Sequence, residues 1–284
     1  MNHHANVSPA VVLSIAGFDP CGGAGILADL KTLAANNCYG VAAITAMTVQ
    51  NTQGITSVQS VAPSFLRDSI LSLLADGHVK SAKIGMLANR SLAEVVREIL
   101  DANPGLFTVL DPVVRASSGA ELLDAEGFEY LRDHLMSRVT LLTPNMSEAA
   151  ALTGLKVESL EEMKSAARKM VEMGAKNVVV TGGHLDKAID VFCEGPKLQT
   201  FVGDRIKSDN THGTGCTFSS AVAGNLALGR QLEDAVVLAK AYVTEAIRKS
   251  YPVGPGRLPL NHLYRLQQNP RPTEDAVPVT ESVH

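Results

Sequence analysis

The chain has 284 residues, 45% of them apolar and 19% charged, the balance of a compact globular protein and not of a disordered one. Net charge is −4, and Lys and Arg gather into no basic stripe, which argues against nucleic acid as a partner. No apolar run approaches membrane-spanning length, so no membrane partner is expected either. The opening MNHHANVSPA lacks the basic start and apolar core of a signal peptide. Cys21, Cys38, Cys193 and Cys216 lie far apart without a C-x-x-C pair. Neither a disulfide framework nor a zinc site is expected, and a reducing, cytoplasmic compartment fits.

In chain order, Val11–Ala16 reads as a fully buried strand, followed by a glycine-rich loop and a helix ending near Ala35. Val41–Met47 is a second buried strand. Helical spacing then appears over Phe65–Leu74, Leu92–Leu100 and Phe128–Leu135, and strands over Ala82–Met86, Thr108–Asp111 and Val139–Thr143. Further strands are predicted at Asn177–Thr181 and Ile189–Cys193, and two long helices at Thr217–Leu228 and Leu232–Ser250. Alternation of this kind implies crossover connections and a mostly parallel sheet covered on both faces. Neither linker nor internal repeat interrupts it. The division expected is a flexible leader at 1–10, one domain at 11–268 and a disordered Pro-, Thr- and acid-rich tail at 269–284. His3 and His4 in the leader are too few for a tag or a metal site.

Ligands of such sheets bind where strands end at their carboxyl edge, so the loops there matter most. The first, Gly17 to Gly25, lacks the Lys-Ser/Thr of a Walker A loop. Gly23-x-Gly25-x-x-Ala28 matches a loose dinucleotide fingerprint. Phe18–Gly22 intervenes, however, and no acid closes strand Val41–Met47 to hold a ribose, so a Rossmann cofactor is not expected. The loop itself supports two readings equally: tight packing, or a backbone floor that a flat small molecule can approach. The second loop, Asn210 to Cys216, is more specific. Gly213-Thr214-Gly215-Cys216 opens a long helix, and free N–H groups at the positive helix end form an anion site suited to a phosphoryl group. A thiol at that helix start is expected to have a lowered pKa. The bland alternative is a helix capped by Thr211, with Cys216 as a small buried hydrophobe. His212 is read as shaping the turn and not as a base.

A third cluster concerns metal. Asp111 ends a buried strand, and Asn145-x-x-Glu148 follows another. Asn-x-x-Glu is a capping box, which on its own is only a cap. Asp111 and Glu148 would nevertheless stand together at the sheet edge, offering the hard oxygen ligands that Mg²⁺ prefers. Gln50 and Asn51, just past a strand, and Met86, at a strand end, have equally plain turn and core readings. His184, after two glycines, says nothing by itself.

Together and in this order, these clusters resemble the ribokinase-like superfamily, and among its members the hydroxymethylpyrimidine/phosphomethylpyrimidine kinases of thiamine biosynthesis. The segments that carry the resemblance are AGFDPCGGAGILADLKT (16–32), AITAMTVQNTQG (43–54), KIGML (83–87), LDPVV (110–114), LTPNMSEAAALTG (142–154), VVVTGGH (178–184) and NTHGTGCTFSSA (210–221). It implies a three-layer α/β/α fold with a mostly parallel central sheet and no separate lid domain, usually assembled as a homo-oligomer. It implies ATP and Mg²⁺ as cofactors and a small pyrimidine alcohol and its monophosphate as substrates. Residue by residue, it makes Gly213, Thr214 and Gly215 the anion hole and Cys216 the base. It places Gln50, Gly17 and Met86 at the pyrimidine, Asn145 and Thr181 at the nucleotide, and Asp111 and Glu148 at the metal. Thr181 departs from the pattern, since lysine is usual there. Two alternatives remain: a pyridoxal or pyridoxine kinase, which shares the fold and the primary-alcohol chemistry, and a catalytically silent pyrimidine sensor, for which the anion loop and the acids would have no use.

Overall fold

The computed structural model describes residues 8–116, 119–183, 187–203, 206 and 212–266. The readings made on residues 1–7, His184, Asn210, Thr211 and the tail at 269–284 lie outside the described residues. One nine-stranded sheet runs through the molecule. In chain order its strands are β1 (Ala10–Phe18), β2 (Cys38–Asn51), β3 (Gly54–Ser60), β4 (Val79–Ile84), β5 (Phe107–Leu110), β6 (Leu141–Leu142), β7 (Asn177–Gly182), β8 (Ala188–Glu194) and β9 (Lys197–Gly203). Their spatial order is β3-β2-β1-β4-β5-β6-β7-β8-β9. The six from β2 to β7 across the centre are parallel; β3, β8 and β9 pair antiparallel at the edges.

Eight α-helices surround it among the described residues: α1 (Gly25–Ala35), α2 (Pro63–Ala75), α3 (Arg90–Ala102), α4 (Ala125–Tyr130), α5 (Met146–Thr153), α6 (Leu160–Glu172), α7 (Thr214–Ala227) and α8 (Leu232–Arg248). None is long and apolar enough to cross a membrane. Alternation along β1 assigns the faces. Leu13 and Ile15 pack with α2, α3 and α6, whereas Val12 packs with Phe218 and Val222 of α7 and Val236 of α8. Both sets are essentially dry, and each such side chain contributes about 1.5–3 kcal/mol. The three-layer arrangement is present.

Connections from β1 run one way to β2, while the chain resumes on the other side of β1 at β4. Right-handed crossovers in opposite directions place their helices on opposite faces, so a crevice opens above the carboxyl ends of β1 and β4. Several expectations need correction here. Strand β2 continues through Gln50 and Asn51, which are therefore strand residues, because β3 supplies an antiparallel partner in a hairpin. Strand β4 stops at Ile84, leaving Met86 in the loop beyond it. Helix α6 and the edge strands β3 and β9 were not anticipated.

The first turn of α7 is fastened from behind. His262 Nε2 lies 3.1 Å from the Thr217 hydroxyl, and the Tyr242 hydroxyl donates to the His262 carbonyl at 2.5 Å. Burial, with Lys31 and His212 nearby, pushes the His262 imidazole down to about 4 from 6.5. A depressed folded-state pKa means that the unfolded chain takes up the extra proton. The stabilisation is therefore whole above pH 6.5 and is lost as pH falls towards 4, by about 2–3 kcal/mol. Melting temperature against pH is expected to fall over that window in the wild type and to fall less steeply in His262→Gln.

Candidate active site

Both glycine loops leave the carboxyl edge of the sheet, and they touch. Gly213 caps α7 with φ +80°, a left-handed conformation, and a side chain there would collide with the Gly23 carbonyl. The N-terminus of α7 thus opens beneath the first loop. In that loop the Asp19 carboxylate gathers three backbone N–H groups: Cys21 at 2.8 Å, Gly23 at 3.2 Å and Ala24 at 2.9 Å. Burial works against its charge, but His212 and these donors outweigh it and hold the carboxyl below the usual range.

Around the two loops lies a cleft of about 1730 Å³. The residues that the resemblance assigns to the site all line it: Gly17, Gln50, Met86, Asp111, Asn145, Glu148, Thr181 and Gly213 to Cys216. Met86 packs so close to Gly17 that a Cβ at position 17 would lie 2.7 Å from its sulfur.

Asn145 and Glu148 do form the capping box, with Glu148 Oε2 accepting from Asn145 N at 2.9 Å and the reverse bond equally short. Capping is not all that Glu148 experiences. Burial and the neighbouring Asp111 push its carboxyl up to about 8, and burial pushes Asp111 up to about 6 against the pull of Lys83. Two buried carboxylates that repel each other are short of positive charge. Their oxygens fit a hard divalent cation held partly through water and phosphate oxygens. Among the described residues no cluster of three His, Cys, Asp or Glu offers a fuller protein cage.

Cys216 corrects the expectation of a thiolate. Burial pushes its thiol up to about 12, with Asp111 and Asp29 adding to the shift and Lys83 opposing it. The side chain is half-buried where it lines the cleft, and the shift runs opposite to the lowering expected at a helix N-terminus, favouring the thiol.

Beneath Asp111 and Cys216 lies a node that sequence reasoning missed. Lys83 on β4 is fully buried and donates to Asp29 of α1 at 2.9 Å. The same carboxylate accepts from Ser14 of β1 at 2.6 Å and from Ser220 of α7 at 2.8 Å. Burial alone would strip Lys83 of its proton, but Asp29 foremost, with Cys216 and Asp111, holds its pKa above the ordinary lysine value. A second unread pair stands at the far wall. Lys240 of α8 donates to Asp190 at 2.6 Å, and Asp190 lies directly across the β7–β8 ladder from Thr181. The wall beside Thr181 therefore still carries a lysine.

The chain that folds in this way has relatives among known proteins. A phosphomethylpyrimidine kinase family model matches residues 19–261. The hydroxymethylpyrimidine/phosphomethylpyrimidine kinase of Aquifex aeolicus is 44% identical over 87% of this chain and 97% of its own. Among solved structures, an ADP complex of Bacillus subtilis pyridoxal kinase superposes with TM-score 0.83 at 34% identity, covering 92% of this chain and all of that one. A phosphomethylpyrimidine kinase from Clostridium difficile 630 gives 0.75 at 36% identity, covering 84% and 99%. With identity this high over nearly the full length of both chains, this protein belongs to the phosphomethylpyrimidine kinase family.

Proposed function

We propose that the protein transfers the γ-phosphoryl group of ATP to 4-amino-5-hydroxymethyl-2-methylpyrimidine, and then to the resulting monophosphate, in thiamine biosynthesis. The observation that carries this reading is the single cleft in which the α7 anion turn, the Asp111–Glu148 pair and Gln50 face one another. Residues 11–268 are the kinase domain, acting in the cytoplasm and as a homo-oligomer.

Phosphoryl transfer is mainly positioning and charge stabilisation. The N–H groups of Gly213, Thr214 and Gly215 receive the phosphoryl oxygens in transit. Asn145 and Thr181 face the nucleotide, on a wall that also carries the Lys240–Asp190 ion pair. Asp111 and Glu148 would hold Mg²⁺, which when bound neutralises phosphate charge. In the loaded site the Cys216 thiol first gives its own proton to solvent; as the alcohol oxygen then bonds to the γ-phosphorus and the bond to the departing ADP breaks, the hydroxyl proton passes to the Cys216 sulfur. Gly17 and Met86 form the floor and wall of the ring pocket.

Gln50 decides between rings. An aminopyrimidine edge sets an amino donor beside a ring-nitrogen acceptor, and a primary amide complements both. Pyridoxal kinases share this fold, so pyridoxal phosphorylation is the second reading. Pyridoxal has no amine there and leaves one group of Gln50 unpaired, which costs about 1–3 kcal/mol or one to two powers of ten in specificity. Gln50→Leu is expected to lower kcat/KM for the pyrimidine by roughly 10–100-fold more than for pyridoxal. A coupled ATP-consumption assay over a panel of alcohols tests both the activity and the preference. Equal losses on both rings would remove Gln50 as the reader.

A further inference from the structure

Gln50 lies half-buried in β2 between two hydroxyl- and imidazole-bearing neighbours. Its amide Oε1 is 3.2 Å from the Thr48 hydroxyl, and its Nε2 is 3.4 Å from His212 Nε2. Hydrogen-bond polarity settles what each neighbour can offer. Thr48 has one hydroxyl proton and donates it to the Phe18 carbonyl at 2.9 Å, so towards Gln50 it presents a lone pair. His212 Nε2 also lies 3.2 Å from Asp19 Oδ2, and a carboxylate only accepts. Nε2 must therefore carry a proton, whether the ring is neutral or charged. Taken literally, the amide then sets donor against donor at His212 and acceptor against acceptor at Thr48. With the amide oxygen and nitrogen exchanged, the amide donates to Thr48 and its oxygen shares the Nε2 proton with Asp19 in a bifurcated hydrogen bond, at 3.4 and 3.2 Å. Oxygen belongs on the His212 side and nitrogen on the Thr48 side.

The relay is built and not incidental. Asp19 is 4% exposed and tied to three backbone N–H groups, so it is a fixed acceptor. Gly23 lets the imidazole lie against the loop, since a Cβ there would stand 2.6 Å from His212 Cδ2. His212 immediately precedes the Gly213 turn, so one side of the Gln50 amide is also the phosphoryl side.

We propose that Asp19 and His212 are positioning residues that fix the Gln50 amide with its oxygen towards His212, and thereby choose which way round the pyrimidine seats. The inference rests on the reading of Gln50 as the ring's partner. In 4-amino-5-hydroxymethyl-2-methylpyrimidine the amino group lies between the ring nitrogen and the carbon bearing the alcohol. An amide oxygen on the His212 side draws the amino group there, and the hydroxymethyl group beyond it then points at Gly213–Cys216. The reverse amide would seat the same edge with the alcohol turned away. Seating is thus a matter of catalysis as well as of affinity.

The expected signature follows from mis-seating. In His212→Leu the amide is free to turn, and the pyrimidine also binds the wrong way round. Its kcat and KM fall together by the same factor, about twofold where the two seatings bind equally, with kcat/KM unchanged, the pattern of unproductive binding. His212→Gln, which keeps a donor, restores most of kcat, and thermal melts establish that each variant is folded. The fall is expected to be absent from His212→Leu in a Gln50→Leu background. Equal losses of kcat on pyrimidine and pyridoxal, or a loss that persists without Gln50, would overturn the relay and place His212 in the anion turn alone. If Gln50→Leu itself leaves ring preference intact, the reading of Gln50 fails and the relay fails with it. A crystal structure of the wild-type protein with the pyrimidine needs no variant. An amino group beside His212 supports the relay, and the opposite seating overturns it.

Discussion

Cys216→Ala is expected to lower kcat by roughly 10²–10⁴, the usual range for removing a general base, with a much smaller change in KM. The residue is the last member of the Gly213–Cys216 turn, in the first turn of α7, against Asp111. Its thiol, pushed up to about 12 by burial, is also expected to resist alkylation in the free protein near neutral pH. Resistance of that kind separates a poised thiolate from a thiol that ionises only in the loaded site. Cys216→Ser controls for packing. Serine fills the space and donates the same hydrogen bond but is a poorer base, so it should resemble alanine in kcat. Wild-type turnover in Cys216→Ala would reduce the thiol to packing.

Lys83→Met is expected to destabilise the fold by about 3–5 kcal/mol, read as a lowered midpoint in urea denaturation. The size comes from what is left behind. Asp29 would remain fully buried with two serine hydroxyls and no counter-charge. Removing both charges together, in Asp29→Asn with Lys83→Met, should recover much of the loss, because a buried pair replaced by neutral groups costs far less than a broken one. A double variant as unstable as the single one would mean that shape alone fixes β1, β4, α1 and α7 together. Lys83 and Asp29 also bind α1 and α7, the helices that begin at the two glycine loops, so the same variants report how far loop placement depends on the node.

The sheet was legible because its central strands are continuous apolar runs bounded by loops, and Val11–Ala16 and Asn177–Thr181 fall within β1 and β7. Helix α6 carried a signal that was passed over. Ser159 accepts from Glu162 N as a cap, and Met163, Ala166, Ala167 and Met170 keep helical spacing on its buried face. Alanines dilute that pattern. The β3 sequence GITSVQS is mostly exposed and has no apolar alternation to display, while Gly195-Pro196 before β9 was a turn signal left unused.

At the site, the motifs located the cleft because loops after parallel strands converge on one edge. What could not be read are partnerships made only by folding. Asp19 meets His212 across 193 residues, and Lys83 meets Asp29 across 54. The error at Cys216 has the same origin. A helix start is visible in sequence, but the burial that outweighs it is not.

The central claim is that this cleft phosphorylates an aminopyrimidine in preference to a pyridine, and internal competition tests it most directly. Wild-type protein would be given ATP, Mg²⁺ and equal amounts of hydroxymethylpyrimidine and pyridoxal, with products followed by phosphorus NMR. Early product ratios give the ratio of kcat/KM without separate fits. The account predicts pyrimidine monophosphate first, by about 10–100-fold over pyridoxal phosphate, and then the pyrimidine diphosphate. Pyridoxal phosphate accumulating as fast as the pyrimidine product, with no diphosphate, would contradict it.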